Sequence, residues 1–133
     1  KIISGGEMSR IMLAFKSILA DYDEIPCLIF DEIDTGISGR TAQVVGEKIS
    51  KISKNHQVIC ISHLPQIAAL SDTHFSITKT IHNDKTITEV KKLDSEQRIN
   101  ELSRLLGGVD LTNTTKLHAK EMLEMSKKLK STF

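Results

Sequence analysis

Two short apolar runs, Cys27-Leu28-Ile29-Phe30 and Gln57-Val58-Ile59-Cys60-Ile61, constrain the fold most. Each is continuous rather than alternating; the first follows Pro26 and ends in acids, and the second follows Asn55 and ends in Ser62-His63. Such runs fit strands buried on both faces, as in a parallel sheet. Between them Gly36 and Gly39 mark a loop, and Ala42, Val45, Ile49 and Ile52 recur at helical spacing over about residues 39–54. A strand, a helix and a second strand make the expected class α/β.

The flanking segments read as follows. Ser4 and Glu7 have the spacing of a capping box, in which each satisfies an orphan amide at a helix start. A helix over about residues 6–21 follows, with Met8, Ile11, Met12, Phe15, Ile18 and Leu19 as its apolar stripe. The acidic linker Asp21–Ile25 leads into the first strand. Pro65 suits the first turn of a short helix reaching about Leu70. From His74 to Leu93, Phe75, Ile77, Lys79 and Ile81 alternate with polar residues, Asn83-Asp84 makes a turn, and Thr86–Val90 returns. That pattern is an antiparallel hairpin with one wet face. Asp94 with Gln97 opens a helix carrying Ile99, Leu102, Leu105 and Leu106, stopped by Gly107-Gly108. Thr112 opens the last helix, with Ala119, Met122, Met125 and Leu129 on its stripe. No repeat or linker divides residues 1–133, which are expected to form a single domain.

Charge and length exclude several classes. The chain has 133 residues, 18 Lys+Arg against 17 Asp+Glu and a net charge of +1, so it is not built to wrap nucleic acid by bulk electrostatics. No apolar run approaches the ~20 residues of a membrane span. Cys27 and Cys60 both lie inside apolar runs, as buried thiols of a reducing compartment would. The chain starts at Lys1 with a motif already under way, as expected of a piece of a longer protein.

Three segments carry chemistry. Asp31-Glu32 follows the first strand, at the edge where open α/β sheets bind ligands. One of these acids can hold Mg²⁺, usually through water, and the other can position or deprotonate a water. Alone, the pair also reads as solvated loop acids. Ser4-Gly5-Gly6-Glu7 opens a helix whose free amides favour an anion, and glycines let a phosphate approach; alone this is also a common helix cap. Ser62-His63 follows the second strand, where a neutral imidazole could bond a phosphate oxygen or an attacking water. A lone histidine is more often structural, and His56, His74, His82 and His118 are read as structural or exposed. No Cys/His spacing suggests zinc.

The order and spacing of these segments resemble the C-terminal half of an ABC-type ATPase head. Ile3-Ser4-Gly5-Gly6-Glu7 resembles the signature sequence with Ile in place of the usual Leu, Cys27–Asp31 the Walker B strand, Glu32 the catalytic glutamate, Asp34 the D-loop aspartate and His63 the switch histidine. Glu7 after the glycines, where transporters usually carry Gln, is similar to the chromosome-maintenance branch. Ser4–Ala14, Phe30–Arg40 and Ile61–Ala68 resemble the RecN family of bacterial DNA-repair ATPases, and the likeness runs through Leu105-Leu106-Gly107-Gly108.

The resemblance implies a mostly parallel sheet flanked by helices with an antiparallel hairpin, the P-loop half being supplied by an N-terminal segment of the same protein. It implies a homodimer of heads sandwiching ATP and acting in double-strand break repair and recombination, in the cytoplasm on the nucleoid. Asp31 would help hold Mg²⁺, Glu32 would activate water and His63 would touch the γ-phosphate. Ser4, Gly5 and Gly6 would reach the ATP of the opposite head, and Asp34 would couple the two sites. No Gly-x-x-x-x-Gly-Lys-Ser/Thr occurs, so the chain alone is expected to be inactive. DNA contact is expected through the full-length protein. Here Lys116, Lys120, Lys127, Lys128 and Lys130, with Lys91-Lys92, are candidates that also read as solvated faces. The alternatives are another SMC or Rad50-like head, or a non-catalytic dimerisation module. The Asp34-Thr35-Gly36 continuation and Ser62-His63-Leu64-Pro65-Gln66 favour the RecN-like reading over another head, and retention of Asp31, Glu32 and His63 speaks against a non-catalytic module.

Overall fold

The computed structural model describes residues 3–19, 22, 24–82, 85–108 and 111–133. The elements run α1 (Gly5–Leu19), β1 (Cys27–Phe30), α2 (Gly39–Ile52), β2 (Gln57–Cys60), α3 (Pro65–Ala69), β3 (Phe75–His82), β4 (Lys85–Lys92), α4 (Ser95–Gly107) and α5 (Asn113–Lys130). They fall into two compact units, Lys1–Leu70 with Met122–Phe133, and Ser71–Glu121.

In the first unit β1 pairs in parallel with β2, Cys27 opposite Gln57 and Phe30 opposite Cys60. A parallel pair needs a crossover, and α2 is that crossover. Leu28 and Phe30 point into a core shared with Leu13 of α1, Val45 and Ile52 of α2, Ile67 of α3 and Ile33. Each such side chain contributes about 1.5–3 kcal/mol by leaving water. Ala42, Val45 and Ile52 are buried as the helical spacing predicts. Gly46 lets α2 approach α3, since a Cβ there would lie 2.7 Å from Leu70 Cδ1.

The strands differ from expectation: β1 is buried on one face, not both, and β2 is half-buried on one face through Val58 and Cys60. Ile29 is 69% and Ile59 46% exposed, because alternate side chains leave opposite sides of a strand and the helices α1 to α3 feed only the Leu28–Phe30 side. The α1 stripe is likewise corrected. Phe15 is 57% and Ile18 75% exposed, whereas Gly6 and Leu13 are buried and Ser9 and Arg10 half-buried. Positions 6, 9, 10 and 13 form one helical face, and Ser9 and Arg10 donate from it to loop carbonyls.

In the second unit β3 and β4 pair antiparallel from Phe75 opposite Lys92 to His82 opposite Lys85. The Asn83-Asp84 turn lies outside the described residues, as do parts of the Asp21–Ile25 linker and the last two positions of the expected first helix. Both hairpin faces are open rather than one: Ile77 (58%) and Val90 (62%) lie on one side and Ile87 (52%) on the other. The expected α4 start forms a complete capping box. Gln97 N donates to Asp94 Oδ1 at 2.8 Å and Asp94 N donates to Gln97 Oε1 at 3.1 Å. Gly108, at φ +79°, ends α4. Ser103 Oγ donates to Thr115 Oγ1 at 2.7 Å, joining α4 to the start of α5. Helix α5 passes from the second unit into the first after Glu121; its buried positions include Ala119 and Ser126, while Met125 is 69% exposed. The seven-residue step from 119 lands on 126, and the Ser126 hydroxyl is satisfied by donating to Met122 O at 2.8 Å. Among the described residues no helix is long and apolar enough to cross a membrane.

Candidate functional site

Because β1 and β2 are parallel neighbours, residues 31–36 and 61–64 leave the sheet at the same edge. Ile33, fully buried, anchors the first loop in the core. Within it Thr35 N donates to Glu32 O at 3.0 Å and Ile37 N to Asp34 O at 3.3 Å. Glu32 has a left-handed backbone, φ +54°, which costs a residue with a side chain about 1–3 kcal/mol and persists only where neighbours hold it.

Helix α1 supplies that hold. The capping box forms as its spacing predicts, with Glu7 N donating to Ser4 Oγ at 3.3 Å and Ser4 N donating to Glu7 Oε2 at 3.1 Å. Ser9 Oγ donates to Asp31 O at 2.9 Å, and Arg10 Nη1 donates to both Ile33 O (3.0 Å) and Thr35 O (2.8 Å). Gly6 is buried, and a Cβ there would lie 2.7 Å from Glu32 O and 2.9 Å from Thr35 Cβ. Its missing side chain serves this packing within the chain. A Cβ on Gly5 would meet Glu32 Oε2 at 3.0 Å, so the Glu32 carboxylate sits at the electropositive start of α1.

Asp34, 3% exposed, points inward to the second loop. Its Oδ2 accepts from Ser62 Oγ at 2.6 Å and from His63 N at 2.8 Å, and His63 Nδ1 lies 3.0 Å away. Burial pushes the Asp34 carboxyl up, but the Ser62 hydroxyl, the His63 amide and the His63 imidazole together hold it below its usual 3.8. Burial, then the charges of Asp34 and Asp31, push the Cys60 thiol up to about 12. That makes Cys60 a poor nucleophile at neutral pH.

The structure thus gathers Gly5, Gly6, Asp31, Glu32, Asp34 and His63 at one sheet edge, with Asp31, Glu32 and His63 exposed. Asp34 is turned into the chain, onto His63, and the start of α1 lies against Glu32 of the same chain. Sequence alone assigns no separate role to Ser9, Arg10 or Ser62. For Ser9 and Arg10 the signal is spacing: Gly6, Ser9, Arg10 and Leu13 share a helical face that is not the most apolar one. Among the described residues no three His, Cys, Asp or Glu converge on a metal position.

Comparison with known proteins gives the family context. The chain is 48% identical over 132 residues to DNA repair protein RecN of Bacillus subtilis, covering 99% of this chain and 23% of that protein. To RecN of Vibrio cholerae it is 49% identical over 123 residues, covering 92% and 22%. To RecN of Streptomyces coelicolor it is 40% identical over 124 residues, covering 93% and 22%. The chain thus spans under a quarter of the length of these relatives. No protein-family model matches it. A solved structure, described as structural biochemistry of ATP-driven dimerization and DNA stimulated activation of SMC ATPases, aligns with a TM-score of 0.58 at 24% identity. It covers 78% of this chain and 62% of that one. The likeness to that structure is one of fold: the α/β arrangement described above is shared by the two chains.

Proposed function

From a chain homologous along nearly its whole length to a segment of DNA repair protein RecN, we propose an ATPase half-head that acts in double-strand break repair and recombination. The observation that carries this reading is the strained, exposed Glu32 at the carboxyl end of β1. It stands beside Asp31 and shares the sheet edge with a histidine held by a buried carboxylate. Strain of this kind persists where a side chain's direction matters.

In this reading Glu32 orients the attacking water and accepts its proton, and His63, across the same sheet edge, takes part in the same reaction through its exposed ring. Asp31 holds Mg²⁺, which neutralises phosphate charge when bound. The amides at the start of α1 face the nucleotide of a second head, and ATP joins two heads until hydrolysis releases them. Phosphoryl transfer depends on positioning and charge stabilisation, so two surfaces can share it. The nucleotide's own cradle comes from an N-terminal P-loop half, and DNA is engaged by the full-length protein on the nucleoid.

Replacing Glu32 tests the proposal. In the full-length protein Glu32→Gln is expected to slow ATP hydrolysis by about 10²-fold or more while ATP-dependent dimerisation persists. Unchanged turnover removes Glu32 from the chemistry. The 133-residue chain alone is expected to show no ATPase activity, and measured turnover would contradict the split-head reading.

A further inference from the structure

The contact between Asp34 and His63 determines which way hydrogen bonds run at the exposed side of the histidine ring. Three groups converge on Asp34 Oδ2: the Ser62 hydroxyl at 2.6 Å, the His63 amide at 2.8 Å and His63 Nδ1 at 3.0 Å. Ser62 Oγ accepts from Leu64 N at 3.1 Å, so its own proton is directed at Asp34. A carboxylate receiving a hydroxyl and an amide is an acceptor only. At 3.0 Å from it, Nδ1 makes a favourable contact only by carrying a proton. The histidine side chain is 74% exposed while the aspartate is 3% exposed, so one end of the ring is fixed in the chain and the rest is open.

We propose that Asp34 is a positioning residue that fixes neutral His63 as its Nδ1–H tautomer, so that Nε2 faces the reaction as a hydrogen-bond acceptor. A bare Nε2 takes a hydrogen bond from water or a hydroxyl. It cannot donate to a phosphate oxygen, and an imidazole that did so from Nε2 would need protons on both nitrogens. The proposal deepens the ATPase reading and rests on it for the ligand: neutral His63 serves the water, alongside Glu32, and donates to a phosphate oxygen only when its ring is doubly protonated. Asp34 acts through His63, as the third group of a catalytic triad acts through its histidine.

The tautomer is directly measurable. With ¹⁵N-labelled histidine in this chain, long-range ¹H–¹⁵N correlation at about pH 8.5, where an ordinary imidazole is neutral, reads which nitrogen bears the proton. His63 is expected to be Nδ1–H in the wild-type chain and in Ser62→Ala. In Asp34→Ala it is expected to revert to the Nε2–H form that free histidine prefers. A wild-type ring protonated at Nε2, or a free-histidine mixture, overturns the proposal whatever the variants do. In the full-length protein Asp34→Asn is expected to lower kcat by about ten- to a hundred-fold with KM for ATP changed less than about twofold. A change confined to KM counts against it. Turnover indifferent to both Glu32→Gln and His63→Ala sinks the ATPase assignment and leaves the tautomer result standing. The wrong tautomer with turnover still dependent on Glu32 sinks this inference alone.

Discussion

The loop after β1 and the β3–β4 hairpin both have backbone groups to satisfy, and they do it in opposite ways. In the loop, side chains do the work: Ser9 bonds the carbonyl of Asp31, and Arg10 bonds those of Ile33 and Thr35. Asp34 ties the loop to Ser62 and His63. In the hairpin, eight paired positions form a ladder of backbone bonds, and every residue of β4 is exposed. A ladder is indifferent to which side chains hang from it, whereas the loop works only with these residues. The first arrangement fixes the direction of Glu32 and His63; the second fixes a backbone alone. The proposed chemistry lies in the first.

That contrast breaks most visibly at Ile33. Its side chain is fully buried in a loop, where the hairpin's isoleucines are more than half exposed. Ile33→Ala is expected to destabilise the chain by about 2–5 kcal/mol in urea unfolding. A loss under about 1 kcal/mol would mean that the loop is not anchored in the core. Gly6→Ala comes next, at about 1–3 kcal/mol, because the new methyl would press on the Glu32 carbonyl at 2.7 Å and on Thr35 at 2.9 Å. Gly5→Ala is the control and should cost less, since it meets only the movable tip of Glu32. Equal costs would show that α1 does not brace the loop.

Much of this was legible from sequence, for physical reasons that also explain the rest. The order of elements follows from period. Cys27–Phe30 is continuous and short, Ala42, Val45 and Ile52 recur at helical spacing, and Asp94 with Gln97 marks a helix start that forms as written. Asp31, Glu32 and His63 were legible because polar residues after an apolar strand lie at the sheet edge. The inner face of α1 was not. Hydrophobicity ranks Met8, Ile11 and Phe15 first, yet the chain buries the face whose donors fit loop carbonyls more than twenty residues away. The orientation of Asp34 was hidden for the same reason. Its partners Ser62 and His63 are 28 and 29 positions distant, and no local rule connects them.

Asp34 gives a smaller, pH-dependent test. Its carboxyl is held below the usual 3.8, because the bonds from Ser62 and His63 outweigh the upward push of burial. Folding therefore favours the ionised form. The stabilisation is present above pH 3.8 and is lost as pH falls through the lower folded-state value. Asp34→Asn is expected to cost about 1–2 kcal/mol at neutral pH, and the gap to wild type should close below pH 3.8. A gap that does not change with acid would assign the cost to packing and not to the charge.

The hairpin predicts the smallest effect of all. Ile87 is 52% exposed opposite Thr80, and Ile87→Thr keeps the β-branch and the strand propensity while removing apolar surface. Since the ladder and not the side chain holds this backbone, stability should move by no more than about 0.5 kcal/mol in either direction. A loss above about 1 kcal/mol would require a partner against Ile87. If that loss appeared only at high protein concentration, the partner would be a second copy of the chain. The hairpin would then resemble the loop, with its side chains fixed by something they touch, and the contrast between the two regions would hold for the single chain only.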